Sequence, residues 1–298
     1  MIIDYASRPP VPEFSQTQAV HLANYRRVYA ASEKQTAAQG DNAESLRGYF
    51  DMYDHLEAEH VVIKARDLET TFGWRIRNED VSAFCRTHGE RFIGFAGVDP
   101  NKGITAVREL DVAVRELGLK GLNLQCFEHK LAINDKRMFP LYAKCIELDI
   151  PVNIHCGVNF STATLMELGR PALLDEVMVH FPELRVCAAP PGFPWIHELI
   201  SVAWRHPNVY IGLVAVRPKY LNVAHSGYEP LLQYGRTVLK DRIIFGSSYP
   251  LTPVQRSLDD IDTLGLDAPT RHKWVYQNAC NFLRLPGAVT NVVAEAAA

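Results

Sequence analysis

Residues 150–157, with the sequence IPVNIHCG, have the pattern of a short buried strand that ends at a histidine. An apolar run of this length, bounded by proline and glycine, is typical of a strand that is covered on both faces. Similar runs recur along the whole chain and are separated by longer helical stretches. The eight predicted strands are residues 2–4, 60–64, 92–97, 121–125, 152–155, 185–188, 209–212 and 243–245.

This alternation predicts a (β/α)8 barrel, because eight parallel strands joined by helical crossovers close into that fold. A chain of 298 residues fits one such barrel, so we expect a single domain over residues 1–298. Apolar side chains at helical spacing mark the connecting segments. The predicted helices are residues 43–59, 105–117, 138–148, 165–181, 228–239 and 278–285.

Two segments fall outside the repeating pattern. Residues 14–41 follow the first strand and contain a predicted helix at about residues 17–39. Because loops after barrel strands lie on the catalytic face, this insert is interpreted as a lid over the barrel mouth, an arm that contacts another subunit, or a surface helix. Residues 286–298 are interpreted as a short C-terminal tail.

The composition limits the classes of function. The net charge of −3 gives no general attraction to nucleic acid or to an anionic membrane. The six cysteines are scattered without a CxxC pair, which indicates free thiols in a reducing compartment. The N-terminus lacks the features of a signal peptide, and no apolar run reaches the length of a membrane span. We therefore expect a cytoplasmic protein that binds neither nucleic acid nor membranes.

Several strand-end motifs occur in a characteristic order along the chain. They are MIID at residues 1–4, GLKG at 118–121, IPVNIHCG at 150–157, FPELRV at 181–186 and RIIFGSSYP at 242–250, with Asn278-Ala279 opening the last predicted helix. In this order and spacing they resemble the amidohydrolase-related family, whose members include aromatic decarboxylases, hydratases and lactonases. The resemblance extends over nearly the whole chain and implies a TIM barrel of the amidohydrolase type.

In that family a His-x-His pair on strand 1, histidines on strands 5 and 6 and an aspartate on strand 8 bind a divalent metal ion. The resemblance places Ala6, Arg8, His155, Pro190 and Ser248 at these positions, so that only His155 is retained. Alanine and proline offer no ligand atom, and the permanent charge of arginine repels a cation. A catalytic zinc usually takes three protein ligands. The departure therefore implies that this chain binds no catalytic metal of its own.

Polar residues at the strand ends are candidates for a ligand pocket. Arg8 is expected to bind a carboxylate, or to fill the vacated space by pairing with Asp4 or Asp99. His155 is interpreted as a pocket residue that moves a proton, or as an imidazole satisfied by its neighbours. A Ser248–His155 pair of nucleophile and base lacks an acidic third member and is not expected. The pocket candidates are Arg8, Lys64, Gln125, His155, Asn159 and Ser248.

Two functions follow from these observations, and a third stays open. The first is a non-catalytic subunit that pairs with a paralogous amidohydrolase-like subunit carrying iron, zinc or manganese. The complex would be a monooxygenase (a hydroxylase), a decarboxylase or a hydrolase that acts on a small carboxylate. The alternative is a metal-independent lactonase or decarboxylase, in which Arg8 and Lys64 stabilise negative charge and His155 is the acid–base group. The third is a barrel that binds a small molecule without chemistry.

Overall fold

The computed structural model describes residues 1–16, 18–25, 27–29 and 43–289. Within these residues eight parallel strands form one sheet, and the strands lie side by side in chain order. The predicted (β/α)8 barrel and all eight predicted strands are confirmed. The strands are β1 (Ile2–Ser7), β2 (Ala58–Lys64), β3 (Phe92–Gly97), β4 (Leu122–Leu124), β5 (Val152–Ile154), β6 (Val186–Ala188), β7 (Val209–Leu213) and β8 (Ile243–Phe245).

The first and last strands meet and close the barrel. A parallel bridge joins Ser7 to Tyr249, just beyond β8. The Ser248 amide donates a hydrogen bond of 2.7 Å to the Ala6 carbonyl, and the Arg8 amide donates one of 2.9 Å to the Tyr249 carbonyl. The closed ring fixes the carboxyl ends of all eight strands around a common mouth.

A buried carboxylate strengthens this closure. Asp4 on β1 accepts hydrogen bonds from the Ser247 amide at 2.8 Å and from the Ser247 hydroxyl at 2.6 Å. The Tyr53 hydroxyl donates a further bond at 2.6 Å, and the Ala6 amide donates one at 3.2 Å. Burial raises the pKa of the Asp4 carboxyl, although these hydrogen bonds oppose the increase. Asp4 therefore links the first strand to the end of the last one.

Helices cover the outer surface of the barrel. Those predicted at residues 43–59, 105–117, 138–148, 228–239 and 278–285 are present, and each is somewhat shorter than predicted. The α-helices of the described residues are Ala43–His55, Glu69–Phe72, Asn78–His88, Ile104–Arg115, Cys126–His129, Phe139–Glu147, Ala172–His180, Ile196–Arg205, Glu229–Gly235, Val254–Asp262, Ala268–His272 and Asn278–Leu283.

The structure corrects one predicted helix and adds one hairpin. The helix predicted at residues 165–181 is divided into a 3-10 turn, Met166–Gly169, and a helix, Ala172–His180. Pro171 lies between them, where its ring removes the N–H that a continuous helix would need. An antiparallel pair of short strands, Arg66–Leu68 and Trp74–Ile76, follows β2 and was not predicted.

Alternation along each strand divides the core into two layers. Outward side chains such as Val152 and Ile154 pack with the helices in one large apolar cluster. Inward side chains fill the lower half of the barrel, where Tyr5 and Tyr210 pack against Phe282 from the last helix, with ring centroids 5.7 and 5.1 Å apart from it. The barrel floor is therefore apolar and closed.

The predicted insert and tail are described only in part. Residues 17, 26, 30–42 and 290–298 lie outside the described residues, so most of the predicted helix at residues 17–39 is untested. The described part contains a 3-10 turn, Val20–Leu22, followed by helical residues 23–25 and 27–29.

Two smaller sequence expectations can also be compared with the structure. All six cysteines are free thiols, as predicted. In the part of the chain that the structure describes, every helix is too short or too polar to cross a lipid bilayer.

Candidate active site

A cavity of about 1090 Å³ opens at the carboxyl ends of the strands. Five of the six predicted pocket residues line it, and they come from β1, β2, β4, β5 and β8 or the segments that follow them. This size is sufficient for a ligand with an aromatic ring and several substituents. The aromatic side chains that line the cavity are Phe14, Tyr25, Tyr29, Phe127, Phe160, Phe193, Tyr228 and Tyr249. The five predicted residues are Arg8, Lys64, Gln125, His155 and Ser248.

Lys64 ends β2 with its side chain directed into the barrel. Its Nζ donates a hydrogen bond of 3.0 Å to Asn153 Oδ1 and lies 3.9 Å from the centroid of the Tyr5 ring. Burial lowers the pKa of the amine to about 7, and the charge of Arg66 acts in the same direction, while Cys187 and Asp4 oppose it. A substantial fraction of the Lys64 side chains is therefore neutral near pH 7.

A row of amides holds this lysine in place. Register pairs Asn123 of β4 with Asn153 of β5, so both side chains point to the same side of the barrel wall. Asn153 Nδ2 and Gln125 Nε2 each donate a hydrogen bond of 2.9 Å to Asn123 Oδ1. Asn123 Nδ2 donates in turn to the Ala65 carbonyl at 2.8 Å. Asn123 and Gln125 lie on one side because side chains two positions apart on a strand share a face. The network fixes the Asn153 oxygen as the acceptor for Lys64.

His155 follows β5 and is 6% exposed. Its ring contacts Phe127 edge to face, with centroids 4.4 Å apart. Its Nδ1 is buried without a hydrogen-bond partner and faces the backbone of Gly169, where an added Cβ would lie 3.3 Å away. Burial lowers the pKa of the imidazole to about 4, with Arg66 adding to the effect and Glu128 opposing it. The ring is therefore neutral at physiological pH.

The remaining predicted residues have different surroundings. Ser248 Oγ accepts a hydrogen bond of 2.8 Å from the Ala215 amide, and the residue has a φ of +59°. Asn159 does not line the cavity, because its amide is used inside the following loop: Nδ2 donates to the Leu165 carbonyl and Oδ1 accepts from Thr164. Asn159 is thus placed as a loop-stabilising residue.

Both acids that were predicted as partners for Arg8 accept hydrogen bonds from other groups. Asp4 is occupied by the hydrogen bonds that close the barrel. Asp99 accepts hydrogen bonds from the Thr70 hydroxyl at 2.6 Å and from the Asn101 amide at 3.0 Å. Arg8 lines the cavity together with Lys64. Both interpretations of Arg8, as a group that binds a carboxylate and as a group that pairs with an acid, therefore stay predictions.

The described part of the insert lies over the mouth. His21 stacks on Phe72 with ring centroids 3.9 Å apart, and its Nε2 lies 3.0 Å from Glu128 Oε1. Asn24 Nδ2 donates to the Phe160 carbonyl at 2.8 Å, and the Tyr29 hydroxyl donates to the Ala215 carbonyl at 3.2 Å. Of the three predicted interpretations of this insert, the described residues favour a lid over the mouth.

Glu128 anchors this lid to the barrel. The carboxylate is fully buried and also accepts two hydrogen bonds from Arg66 Nη1, at 3.1 and 3.3 Å. Burial raises the pKa of the Glu128 carboxyl, but Arg66 and His21 outweigh it and the net pKa is lowered. Sequence reasoning missed Glu128, His21 and Asn153. Only Asn153 had a usable signal, because it lies two residues before His155 and must share its side of the strand.

The chain was compared with known families and structures. The sequence model of the Amidohydrolase family matches residues 21–285. This chain belongs to the Amidohydrolase family. The family resemblance of the strand-end motifs is confirmed.

Solved structures with the same fold cover almost the whole chain. An uncharacterized TIM-barrel protein from Bordetella bronchiseptica is 25% identical, with a TM-score of 0.76 over 95% of this chain and 98% of that one. A dihydroxybenzoic acid decarboxylase from Polaromonas sp. JS666, with bound manganese and the inhibitor 2-nitroresorcinol, is 16% identical, with a TM-score of 0.65 over 95% and 97%. A 5-carboxyvanillate decarboxylase from Novosphingobium aromaticivorans, complexed with manganese, is 17% identical, with a TM-score of 0.61 over 95% and 96%.

The donor atoms at the strand ends of this amidohydrolase decide whether it fits a similar ion. Ala6 and Pro190 line the cavity without a donor atom, and Arg8 brings a permanent positive charge. The Ser248 hydroxyl is already hydrogen-bonded to an amide. Across the described ranges, no three histidine, cysteine, aspartate or glutamate side chains lie together as a metal ion requires. This donor set does not fit a divalent cation.

Proposed function

We propose that this chain is a metal-independent enzyme that decarboxylates a small carboxylate with an aromatic or other apolar group. The observation that carries the proposal is that Lys64, Arg8 and His155 line one aromatic-walled cavity at the active end of the barrel. In the family, a metal ion would supply positive charge at that end. Here two side-chain cations lie where the substrate would bind, and they offer charge without an ion.

Each group has a chemical role that follows from its state. Arg8 is permanently cationic and suits a carboxylate as a bidentate partner. Lys64 has a pKa near 7, so its protonated form stabilises the negative charge left when CO2 departs, and it can also donate the proton that replaces the carboxyl group. His155, neutral and fixed against Phe127, is positioned to accept or relay a proton.

The structural neighbours support the reaction class without determining it. Two of them are decarboxylases of aromatic acids with bound manganese. The same three groups would also stabilise the anionic intermediate of lactone hydrolysis. Decarboxylation is favoured because the cavity offers a proton donor of suitable pKa beside aromatic walls.

The test uses the purified chain after exhaustive treatment with a chelator. A panel of aromatic and aryl-substituted β-keto carboxylates is assayed for CO2 release and, in parallel, a panel of aryl lactones for acid release. We expect CO2 release that survives chelation, and a loss of about 100-fold or more in kcat/KM for Lys64→Met and Arg8→Gln. The exposed lysine variant Lys136→Met is the matched control. Activity that depends on added Mn²⁺ would contradict the proposal.

A second function, the non-catalytic subunit of a hetero-oligomer, is favoured by a different observation. Large apolar side chains are exposed on the lid and on the loop after β5: Val20 at 82%, Leu165 at 71% and Met166 at 41%. Single exposed apolar residues are common, but a partner surface would also expose them. In this case a metal-bearing paralogue would carry the chemistry.

Purification of the untagged chain from its natural source separates the two functions. A complex that contains a second barrel of similar size with iron, zinc or manganese would support the subunit proposal. A metal-free chain, alone or as a homo-oligomer, that releases CO2 would support the enzyme proposal.

A further inference from the structure

The side chain of Lys64 is unusual because its hydrogen-bond partner is a neutral amide. The amine donates to Asn153 Oδ1 and lies on the Tyr5 ring. Lysines in ion pairs are instead held in the charged form by a carboxylate, as Lys102 is by Asp67 at 2.6 Å. An amine held by an amide in a largely desolvated place keeps a lone pair available for reaction.

The place of this amine also fits a nucleophile. Lys64 lines the large cavity, while the amide row from Gln125 through Asn123 to Asn153 fixes the acceptor atom that orients its Nζ. Arg8 lines the same cavity and offers a carboxylate site. The same cavity therefore offers an amine and a permanent positive charge to a ligand that has both a carbonyl and a carboxylate.

We propose that Lys64 forms a Schiff base with the ketone carbon of a β-keto acid bound in this cavity. The inference rests on the proposed function and deepens it, because it names both the substrate class and a covalent intermediate. A β-keto acid is suitable because the protonated imine lies where it can accept the electrons released with CO2, so no metal ion is needed. The aromatic walls favour a β-keto acid with an aryl group.

The steps balance without any co-reactant. The neutral amine adds to the ketone carbon, one proton is taken up from solvent and water leaves, which gives a protonated imine. Hydrolysis of the imine in the last step returns this proton to the solvent. The bond to the carboxyl carbon then breaks, its electron pair forms the carbon–carbon double bond of an enamine, and CO2 leaves. A proton adds to the enamine carbon, and one water molecule hydrolyses the imine to release the ketone and Lys64. Overall, one proton is consumed and one CO2 is formed.

The probe for this test is benzoylacetate with sodium cyanoborohydride, which reduces an imine to a stable secondary amine. We expect a single adduct on the intact wild-type chain, and peptide mapping should place it on Lys64. The mass of the adduct shows whether CO2 has been lost. The variant Lys64→Arg keeps the positive charge but lacks a nucleophilic amine, so labelling should fall to background. Lys136→Arg, which changes an exposed lysine, should label like the wild type.

The outcomes separate this inference from the proposed function. CO2 release from benzoylacetate without an adduct on Lys64 would overturn the Schiff base and leave the proposed decarboxylase intact. An adduct on Lys64 together with no enzymatic CO2 release in the absence of the reductant would support the Schiff base and contradict decarboxylation. Labelling spread over several lysines, or no labelling and no CO2 release, would overturn the inference for this substrate class. Because the adduct is mapped on the wild-type chain, the result does not depend on the folding of a variant.

Discussion

The buried amine of Lys64 makes the stability of the fold depend on pH. Lys64 has a pKa of about 7 against an ordinary value of 10.5, so the fold disfavours its protonated form. Between these two pH values the unfolded chain holds a proton that the folded chain has released. The free energy of unfolding therefore increases as the pH rises from 7 to 10.5. Below pH 7 the amine is protonated in both states, and the fold bears the full cost of burying its charge.

The first prediction follows from this sign. Lys64→Met removes the penalty, so at pH 6 the variant should be more stable than the wild type by about 2 kcal/mol, with the difference shrinking towards pH 10. Denaturant unfolding across this pH range measures it, with Lys136→Met as control. The titratable groups around the amine are Asp4, Arg66 and the Cys187 thiol, and none of them is altered in the variant. A stability difference that is independent of pH would contradict the low pKa.

Asp4 shows a second residue-scale effect. Asp4→Ala would remove the acceptor of the buried Tyr53 hydroxyl and of the Ser247 amide, while the Ser247 hydroxyl would keep only its longer bond of 3.3 Å to the Ala6 carbonyl. We expect a loss of about 3 kcal/mol or more in the free energy of unfolding, since each unsatisfied buried donor is costly. Asp51→Ala, at an exposed helix position, is the control and should change stability little. A small effect of Asp4→Ala would mean that the closure of the barrel depends on other contacts.

At the scale of elements, the contacts of His21 join the described part of the lid to the barrel. His21 provides a stacked ring on Phe72 and a polar contact with Glu128, and both would be lost in His21→Ala. We expect amide hydrogen exchange in residues 18–29 to increase by about tenfold or more, while exchange in the barrel strands stays unchanged. His180→Ala, at an exposed position of another helix, should change neither. Unchanged exchange in the lid would show that Glu128 does not anchor it.

Strand β5 offers a direct test of the fold. Val152 is fully buried on the outer face of the barrel wall, within the apolar cluster. Val152→Asp should prevent folding, or destabilise the chain by about 4 kcal/mol or more, because an unpaired carboxylate would be buried; Ile154→Asp should act alike. Val179→Asp, where the valine is 53% exposed, is the matched control. Soluble protein with a native near-ultraviolet spectrum from Val152→Asp would contradict the assignment of β5.

The sequence predicted the strands well because barrel strands are short apolar runs with clear boundaries. It missed the helices Asn78–His88, Ile196–Arg205 and Val254–Asp262, although the last two are strongly amphipathic and therefore carried a usable signal. In the site, it identified residues at strand ends, such as Lys64 and His155, because the fold dictates where they lie. It could not identify the partnership of His21 with Glu128, since 107 residues separate them and only the folded chain brings them together.

At the scale of the whole molecule, the apolar floor of the barrel contributes to stability. Phe282 is fully buried and contacts Tyr5 and Tyr210 from opposite parts of the chain. Phe282→Ala should cost about 3–5 kcal/mol, because a cavity would remain at the base of the core. Val289→Ala, at a position 59% exposed, should have little effect on the melting temperature. A variant Phe282→Ala as stable as the wild type would show that the last helix is not part of the core.

The bond between Asp4 and Ser247 also has a consequence for biosynthesis. The two residues are separated by 243 positions, so β1 leaves the ribosome long before its partner has been translated. During that interval the Asp4 carboxylate is exposed to water, and β1 lacks the strand that closes the barrel beside it. A chain whose translation ends before β8 would therefore have an unpaired strand edge on β1. Such an edge can pair with other chains, and we expect chaperones and proteases to bind it.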